Sequence, residues 1–135
     1  MKQRAAKWVF RLGVGLFLLS LASCGGPRYT LPGNWQFTFT STMFPGNVVT
    51  GTAPLQQTGV NVTGTITFAT NPLNCAPTGA VTGTVSGTGV TLNVQQGTHP
   101  QSVLGIFNTT ITSMQGGYTG GCISTDVGSW AATKT

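Results

Sequence analysis

Acidic residues are almost absent from this chain, which has no glutamate and a single aspartate, Asp126. Because glycosidase chemistry needs a pair of carboxylates, this scarcity excludes acid–base catalysis of that kind. It also excludes metal sites built from several carboxylate, imidazole and thiolate ligands, since the chain has only one histidine, His99. The composition therefore predicts a protein without a catalytic site, a cofactor or a bound metal.

Basic residues are also scarce outside the N-terminus. Of the six in the chain, only Arg28 and Lys134 lie beyond the first eleven residues. A nucleic-acid interface needs lysines and arginines clustered on the folded surface. The formal net charge of +5 therefore does not indicate a nucleic-acid partner, and we predict none.

The N-terminal segment has the layout of a secretory signal. Its first eleven residues are basic, and residues 12–21 form an apolar run of about ten residues, half of the roughly 20 that span a bilayer. The run ends in Leu21-Ala22-Ser23-Cys24-Gly25. This sequence resembles the lipobox of bacterial prolipoproteins, in which the cysteine receives diacylglycerol before signal peptidase II cuts ahead of it.

The resemblance implies a lipoprotein in three parts: a signal peptide over residues 1–23, a lipidated Cys24 with a flexible tether over residues 24–32, and a folded domain over residues 33–135. Acyl chains of the palmitate type on Cys24 would anchor the protein to a membrane. Gly25, where inner-membrane lipoproteins of Gram-negative bacteria have Asp, implies the outer membrane. The alternative is an ordinary signal peptide that leaves Cys24 as a free thiol.

Lipidation of Cys24 would leave an even number of cysteines in the exported domain. Cys75 and Cys122 are then the two that remain. In an oxidising compartment such a pair predicts a disulfide, and the chain has no Cys-x-x-Cys motif that would favour a redox or metal role.

Apolar and polar residues alternate with period two along the rest of the chain, which predicts strands with one buried face. Trp35, Phe37 and Phe39 share such a face. The same alternation predicts further strands over residues 48–56, 60–68, 80–86, 90–95, 103–112, 114–119 and 128–133, about eight in all. Turn residues mark positions 45–47, 57–59, 71–72, 86–89 and 116–117.

Three segments repeat the pattern Val-Thr-Gly-Thr, beginning at Val49, Val62 and Val81. A glycine inside a strand marks a bend or a close backbone approach, and strands that coil into a small barrel need both. We therefore predict an all-β domain, a single antiparallel meander β-barrel. A β-sandwich, which would show the same alternation, is the alternative.

Gly33-Asn34-Trp35 followed by short Thr-Gly-Thr strands resembles the opening of lipocalin-like and avidin-like meander barrels. The chain lacks the Thr-Asp-Tyr turn and late arginine of lipocalins and the biotin-contacting set of avidins, so the resemblance implies a fold and no particular ligand. The ending, with Gly120-Gly121-Cys122 and Gly128-Ser129-Trp130, resembles that of small bacterial envelope lipoproteins.

Aromatic side chains offer the one candidate ligand site, an apolar cavity inside the barrel. Its candidate lining residues are Trp35, Phe37, Phe39, Phe68, Phe107, Tyr118 and Trp130. The competing interpretation is that these rings simply fill the core, as in many eight-stranded barrels. Trp35 and Trp130 lie on the first and last predicted strands, so we expect them to meet where the barrel closes.

We therefore predict a non-enzymatic, lipid-anchored protein of the cell envelope that serves as an accessory or binding module. A hydrolytic triad of His99, Asp126 and a serine has no supporting local motif. One alternative function is a carrier of a small hydrophobic ligand, which requires an open apolar cavity. The other is an adhesion or interaction module for an envelope partner, which requires an exposed apolar patch outside the barrel.

Overall fold

The computed structural model describes residues 31–70 and 75–135, which form a closed barrel of eight antiparallel strands. Each strand pairs with the next, and the last pairs with the first. The strands are β1 (Gly33–Ser41), β2 (Val48–Thr58), β3 (Asn61–Thr70), β4 (Thr78–Ser86), β5 (Gly89–Gln96), β6 (His99–Phe107), β7 (Ser113–Gly120) and β8 (Val127–Lys134). This order confirms the predicted meander barrel and rules out the β-sandwich.

The N-terminal leader and Cys24 lie outside the described residues. Within the part of the chain that the structure describes, no helix is long and apolar enough to cross a membrane.

All eight strands contribute inward-facing apolar side chains to a single core. In β1 the inward Trp35, Phe37 and Phe39 are at most 1 % exposed, whereas the intervening Gln36 and Thr40 face solvent. The alternation read from the sequence is therefore the alternation between the inside and the outside of the barrel.

The folded domain includes a residue that precedes β1. Leu31, which the sequence analysis placed in the tether, is completely buried. Its backbone N–H donates to Gln57 Oε1 at 2.7 Å, and its carbonyl accepts a hydrogen bond from Trp35 Nε1 at 2.9 Å. Leu31 thus closes one end of the barrel and fixes the point from which the N-terminal segment leaves the domain.

Two predicted boundaries were wrong. The strand predicted over residues 103–112 is β6, His99–Phe107, because the chain reverses at Gly97, where φ is +64°, and continues through Pro100 as a strand. Residues 108–112 form a loop, in which Asn108 Oδ1 accepts hydrogen bonds from the N–H groups of Thr112 and Ser113. The turn predicted at residues 116–117 lies in the middle of β7.

Glycines at inward positions allow adjacent strands to approach closely. Examples on six strands, which include the glycine of every Val-Thr-Gly-Thr segment, are Gly51, Gly64, Gly83, Gly105, Gly116 and Gly128. A Cβ added to Gly64 would lie 2.5 Å from the carbonyl oxygen of Pro54 on the neighbouring strand. The predicted close approach at these glycines is therefore confirmed.

The meander gives the barrel two distinct ends. The turns after β2, β4 and β6 lie at the end that contains Leu31, which we call the N-terminal end. The loops after β1, β3, β5 and β7 lie at the opposite end. Cys75 and Cys122 join two of these loops, so we call it the disulfide end.

Candidate functional site

The aromatic residues predicted to line a cavity pack inside the barrel as its core. Six of the seven are at least 96 % buried, and Phe68 is half-buried against the same cluster. The Phe37 ring stacks on that of Trp130 with centroids 5.9 Å apart, and Phe39 meets the edge of Tyr118 at 5.6 Å. The interior that these rings share is therefore occupied by the rings themselves.

The predicted meeting of Trp35 and Trp130 at the barrel closure is replaced by a different pairing. Both residues lie on the strands that close the barrel, but the ring stacked on Trp130 is that of Phe37. Trp35 lies nearer the N-terminal end, beside the side chain of Lys134, whose Nζ is 5.9 Å from the centre of the indole ring.

Two of the inward glycines make room for the largest rings. A Cβ on Gly105 would lie 2.7 Å from Cζ2 of Trp130, and one on Gly128 would lie 2.7 Å from Cε1 of Tyr118. Trp130 also donates its indole N–H to the carbonyl oxygen of Leu104 at 3.0 Å. The rings are thus held in fixed orientations by backbone positions on β6 and β8.

A buried polar cluster lies at the disulfide end and is centred on Asp126. One carboxylate oxygen of Asp126 accepts a hydrogen bond from Ser41 Oγ at 2.6 Å, and the other accepts one from the Tyr118 hydroxyl at 2.9 Å. Ser41 Oγ in turn accepts a hydrogen bond from the backbone N–H of Phe44 at 3.0 Å. Asp126 therefore joins the start of β8 to the ends of β1 and β7.

The cluster shifts the ionisation of Tyr118. Burial of the phenol, followed by its hydrogen bond to the Asp126 carboxylate and the negative charge of that carboxylate, raises the pKa of Tyr118 to about 12. The hydroxyl therefore stays protonated, and remains a donor to Asp126, at any physiological pH.

Two inward-facing glutamines extend this cluster towards the disulfide. Gln96 Nε2 donates to Gln101 Oε1 at 3.2 Å, and Gln96 Oε1 accepts the backbone N–H of Cys122 at 3.1 Å. The predicted disulfide between Cys75 and Cys122 is present, with Cα atoms 6.0 Å apart. The bridge therefore ties the β3–β4 and β7–β8 loops together beside the glutamine pair.

The cavity between these polar groups is very small. Its volume is about 20 Å³, and its lining includes Asn47, Gln96, Gln101, Tyr118 and Asp126. Such a space accommodates a single water molecule, whereas sites for drug-sized ligands have volumes of about 300 Å³ or more. This cavity is therefore no pocket for a hydrophobic ligand.

Of the residues considered for a hydrolytic triad, Asp126 belongs to the buried polar cluster and His99 is exposed. Both carboxylate oxygens of Asp126 accept hydrogen bonds from hydroxyl groups, and His99 is exposed at the start of β6. Within residues 31–70 and 75–135, no group of three or more His, Cys, Asp or Glu side chains could hold a metal ion. Asp126 acts instead as an acceptor that organises the loops at the disulfide end.

The outer wall carries a shallow, uncharged groove of about 630 Å³ across β6, β7, β8 and β1. Its walls combine hydroxyl, amide and apolar groups from outward-facing residues such as Thr38, Thr40, Ile106, Gln115 and Ser129. The groove lies over the inward glycines Gly105 and Gly116, where the absence of side chains brings the strands close together.

Exposed apolar side chains form a second surface feature, beside the β1–β2 loop at the disulfide end. Met43 and Phe44 are in the loop, Val48 begins β2 and Val127 begins β8. The backbone N–H of Thr42 donates to the carbonyl of Val127 at 3.0 Å, which holds the loop against β8. We call these four apolar residues the apolar tip.

The chain matches no protein-family model and no curated protein sequence.

The sequence analysis missed the polar cluster, although the alternation contains a signal for it. Val90, Leu92 and Val94 face inwards, so a continued period of two places Gln96 inwards as well. Gln101 likewise shares the inward face of β6 with Val103. An inward glutamine at each side of a tight hairpin predicts a polar cap on the barrel. The hydrogen bond between Ser41 and Asp126 joins residues 85 apart in sequence, so it could be found only from the folded structure.

Proposed function

We propose that this chain is a lipid-anchored protein of the cell envelope, carried on the outer membrane, whose barrel is a non-enzymatic module that binds its partner on the outer surface. The observation that carries the proposal is the aromatic filling of the barrel. Trp35, Phe37 and Trp130 occupy the space that a carried ligand would need. A binding partner would therefore contact the outer wall or the loops.

The surface supports recognition of an uncharged partner. The groove over β6, β7, β8 and β1 has no charged side chain in its lining. Most outward strand positions are threonine, serine, glutamine or asparagine. These side chains form hydrogen bonds but carry no charge, so they produce no long-range electrostatic field. Electrostatic steering therefore contributes little to binding, and affinity should change little with ionic strength.

The anchor is tested by expressing the full chain in a Gram-negative host with a radiolabelled or alkyne-tagged palmitate. We expect the label on the wild-type protein, recovery in the outer-membrane fraction, and loss of both in Cys24→Ser. A Cys75→Ser, Cys122→Ser variant is the matched control, because it also replaces cysteine by serine but should keep the label. An unlabelled wild-type protein in the soluble periplasmic fraction would refute the anchor.

The filled interior is tested by native mass spectrometry of the protein purified from the periplasm or membrane. We expect the mass of the polypeptide with its lipid and no additional small molecule. A co-purified apolar molecule that is retained through desalting, and is lost when Phe37 is replaced by a smaller residue in a variant that still folds, would instead establish the carrier function.

The apolar tip favours a second candidate function, an adhesion or interaction module. Met43 is 51 % exposed and Phe44 is 39 % exposed, and contiguous exposed apolar side chains are typical of interaction sites. This candidate predicts that Phe44→Ser lowers binding of the purified protein to intact cells of the producing strain. Val60→Ser, an exposed apolar residue at the other end of the barrel, is the control and should bind as the wild type does.

A further inference from the structure

We propose that the barrel stands on the membrane with its N-terminal end against the lipid surface and its disulfide end pointing away from it. This inference rests on the lipidation of Cys24 in the proposed function. It adds the orientation of the domain, and with it the surface that faces lipid and the surface that remains free for a partner.

The first step is the short reach of the anchor. Leu31 is fixed in the core by burial and by its hydrogen bonds to Gln57 and Trp35. Only residues 25–30 separate it from Cys24. Even when fully extended, this connection spans at most roughly 25 Å between the two Cα atoms.

The second step is the size of the barrel. Strand β1 has 9 residues, and at a rise of about 3.3 Å per residue and a tilt of about 40° the wall is roughly 23 Å high. To place the disulfide end on the membrane, the chain would have to leave Leu31, cross an outer radius of roughly 10 Å and follow the wall for its full height. That path of roughly 33 Å is longer than the tether can reach.

Charge supports the same orientation. Lys134 lies at the end of β8, beside Trp35 at the N-terminal end, and Arg28 lies in the tether just before Leu31. The single acidic side chain, Asp126, is at the opposite end of the barrel. Anionic headgroups attract basic side chains close to the surface, so this distribution favours contact at the N-terminal end.

Surface hydrophobicity alone does not select an orientation, because both ends of the barrel expose apolar side chains. The apolar tip at the disulfide end exposes Met43 and Phe44. The N-terminal end exposes Val60, in the turn between β2 and β3, with 46 % of its surface accessible, and Ile106, near the end of β6, with 56 % accessible. If the tether sets the orientation, the N-terminal end faces the lipid and the apolar tip stays free.

The experiment compares probe positions at the two ends of the full, lipidated protein. Met43→Cys and Val60→Cys are each labelled with a fluorophore under conditions that keep the Cys75–Cys122 disulfide. The proteins are reconstituted in vesicles of phosphatidylethanolamine and phosphatidylglycerol that contain a headgroup-attached quencher. We expect quenching at position 60 to be several-fold greater than at position 43. Equal quenching, or greater quenching at position 43, would overturn the orientation.

Flotation of the same samples separates this outcome from a failure of the anchor. A wild-type protein that does not float with the vesicles would refute the lipid anchor and, with it, the orientation. A protein that floats, but is quenched equally at both positions, refutes the orientation alone.

A longer tether provides the second variant. Insertion of about 20 glycine and serine residues after Gly26 gives a flexible connection that lets either end approach the surface. We expect the difference between positions 60 and 43 to decrease or reverse in this variant. An unchanged difference would overturn the short tether as its cause.

Discussion

At the scale of the residue, the barrel depends on positions where the backbone leaves no room for a side chain. Gly116 and Gly117 are adjacent in β7 but face opposite sides of the wall. A Cβ on the inward Gly116 would clash with the carbonyl oxygen of Leu104, whereas the nearest atom to one on Gly117 would be 3.6 Å away. Alanine substitutions at the two positions therefore distinguish the effect of a steric clash from the general effect of replacing glycine.

We expect Gly116→Ala to lower the free energy of unfolding by about 1–3 kcal/mol, because neighbouring backbone must move to accept the methyl group. Gly117→Ala should change it by less than about 0.5 kcal/mol, or increase it slightly, because alanine reduces the entropy of the unfolded chain. Urea denaturation of both variants checks this. Equal destabilisation would contradict the steric explanation.

Tyr118 predicts a dependence of stability on alkaline pH. Its pKa is about 12 in the folded protein and about 10 when unfolded, so the unfolded state loses its proton first as the pH rises. The contribution of Tyr118 to stability is therefore complete below about pH 10 and is lost as the pH rises towards about 12.

Tyr118→Phe removes this group and tests the dependence. We expect the variant to be less stable than the wild type at neutral pH by about 1–3 kcal/mol, because Asp126 loses a buried donor. The difference should become smaller at about pH 11, where the wild type also loses the contribution. Denaturant unfolding at the two pH values measures it, and a difference that is constant with pH would show that Tyr118 titrates normally.

At the scale of the element, strands could be predicted well because each has one face in the core. Residues 35–40 alternate so regularly that β1 and its buried face follow directly from the sequence. The boundaries of β6 could not be predicted, because His99 and Pro100 have the composition of a loop. Residues 108–112 have the β-branched composition of a strand, yet the Asn108 side chain stabilises them as a loop.

In the candidate site, too, some features could be predicted from the sequence and others could not. The Cys75–Cys122 pair follows from counting cysteines, because these two remain if Cys24 is lipidated. Whether the aromatic rings enclose or fill a space depends on how strands distant in sequence pack together, as Phe37 and Trp130 show. Period-two alternation predicts that a ring faces the interior of the barrel. It does not predict which side chain packs against that ring from the opposite wall.

The disulfide is the covalent link between two loops at one end of the barrel, and it predicts a defined loss of stability. It joins residues 47 apart in sequence, and closing a loop of this size stabilises a fold by about 4 kcal/mol in the chain-entropy model. We expect Cys75→Ala, Cys122→Ala to lose an amount of this order in urea denaturation. Reducing agent should destabilise the wild type to a similar degree and leave the double variant unchanged; an effect on both would point to another cause.

At the scale of the whole molecule, closure by β1 and β8 is the feature that strand alternation alone does not predict, and the barrel was predicted instead from the glycines within strands and the resemblance to meander barrels. Alternation is identical in a barrel and a sandwich, because both bury one face of each strand. The pairing of residues 35–41 with residues 128–134 decides between them, and it joins the two ends of the domain. The predicted signal peptide and lipobox, by contrast, rest on local patterns, and the proposed anchor depends on those patterns alone.

A barrel closed in this way should unfold as one cooperative unit, because no strand has a free edge that would allow it to detach separately. Trp35 and Trp130, on β1 and β8, report on the closure through their fluorescence, whereas circular dichroism reports on all strands. We expect the two urea transitions of the processed protein to have the same midpoint and slope. A fluorescence transition at lower urea would show that β1 and β8 separate first, and that the remaining strands are stable as an open sheet.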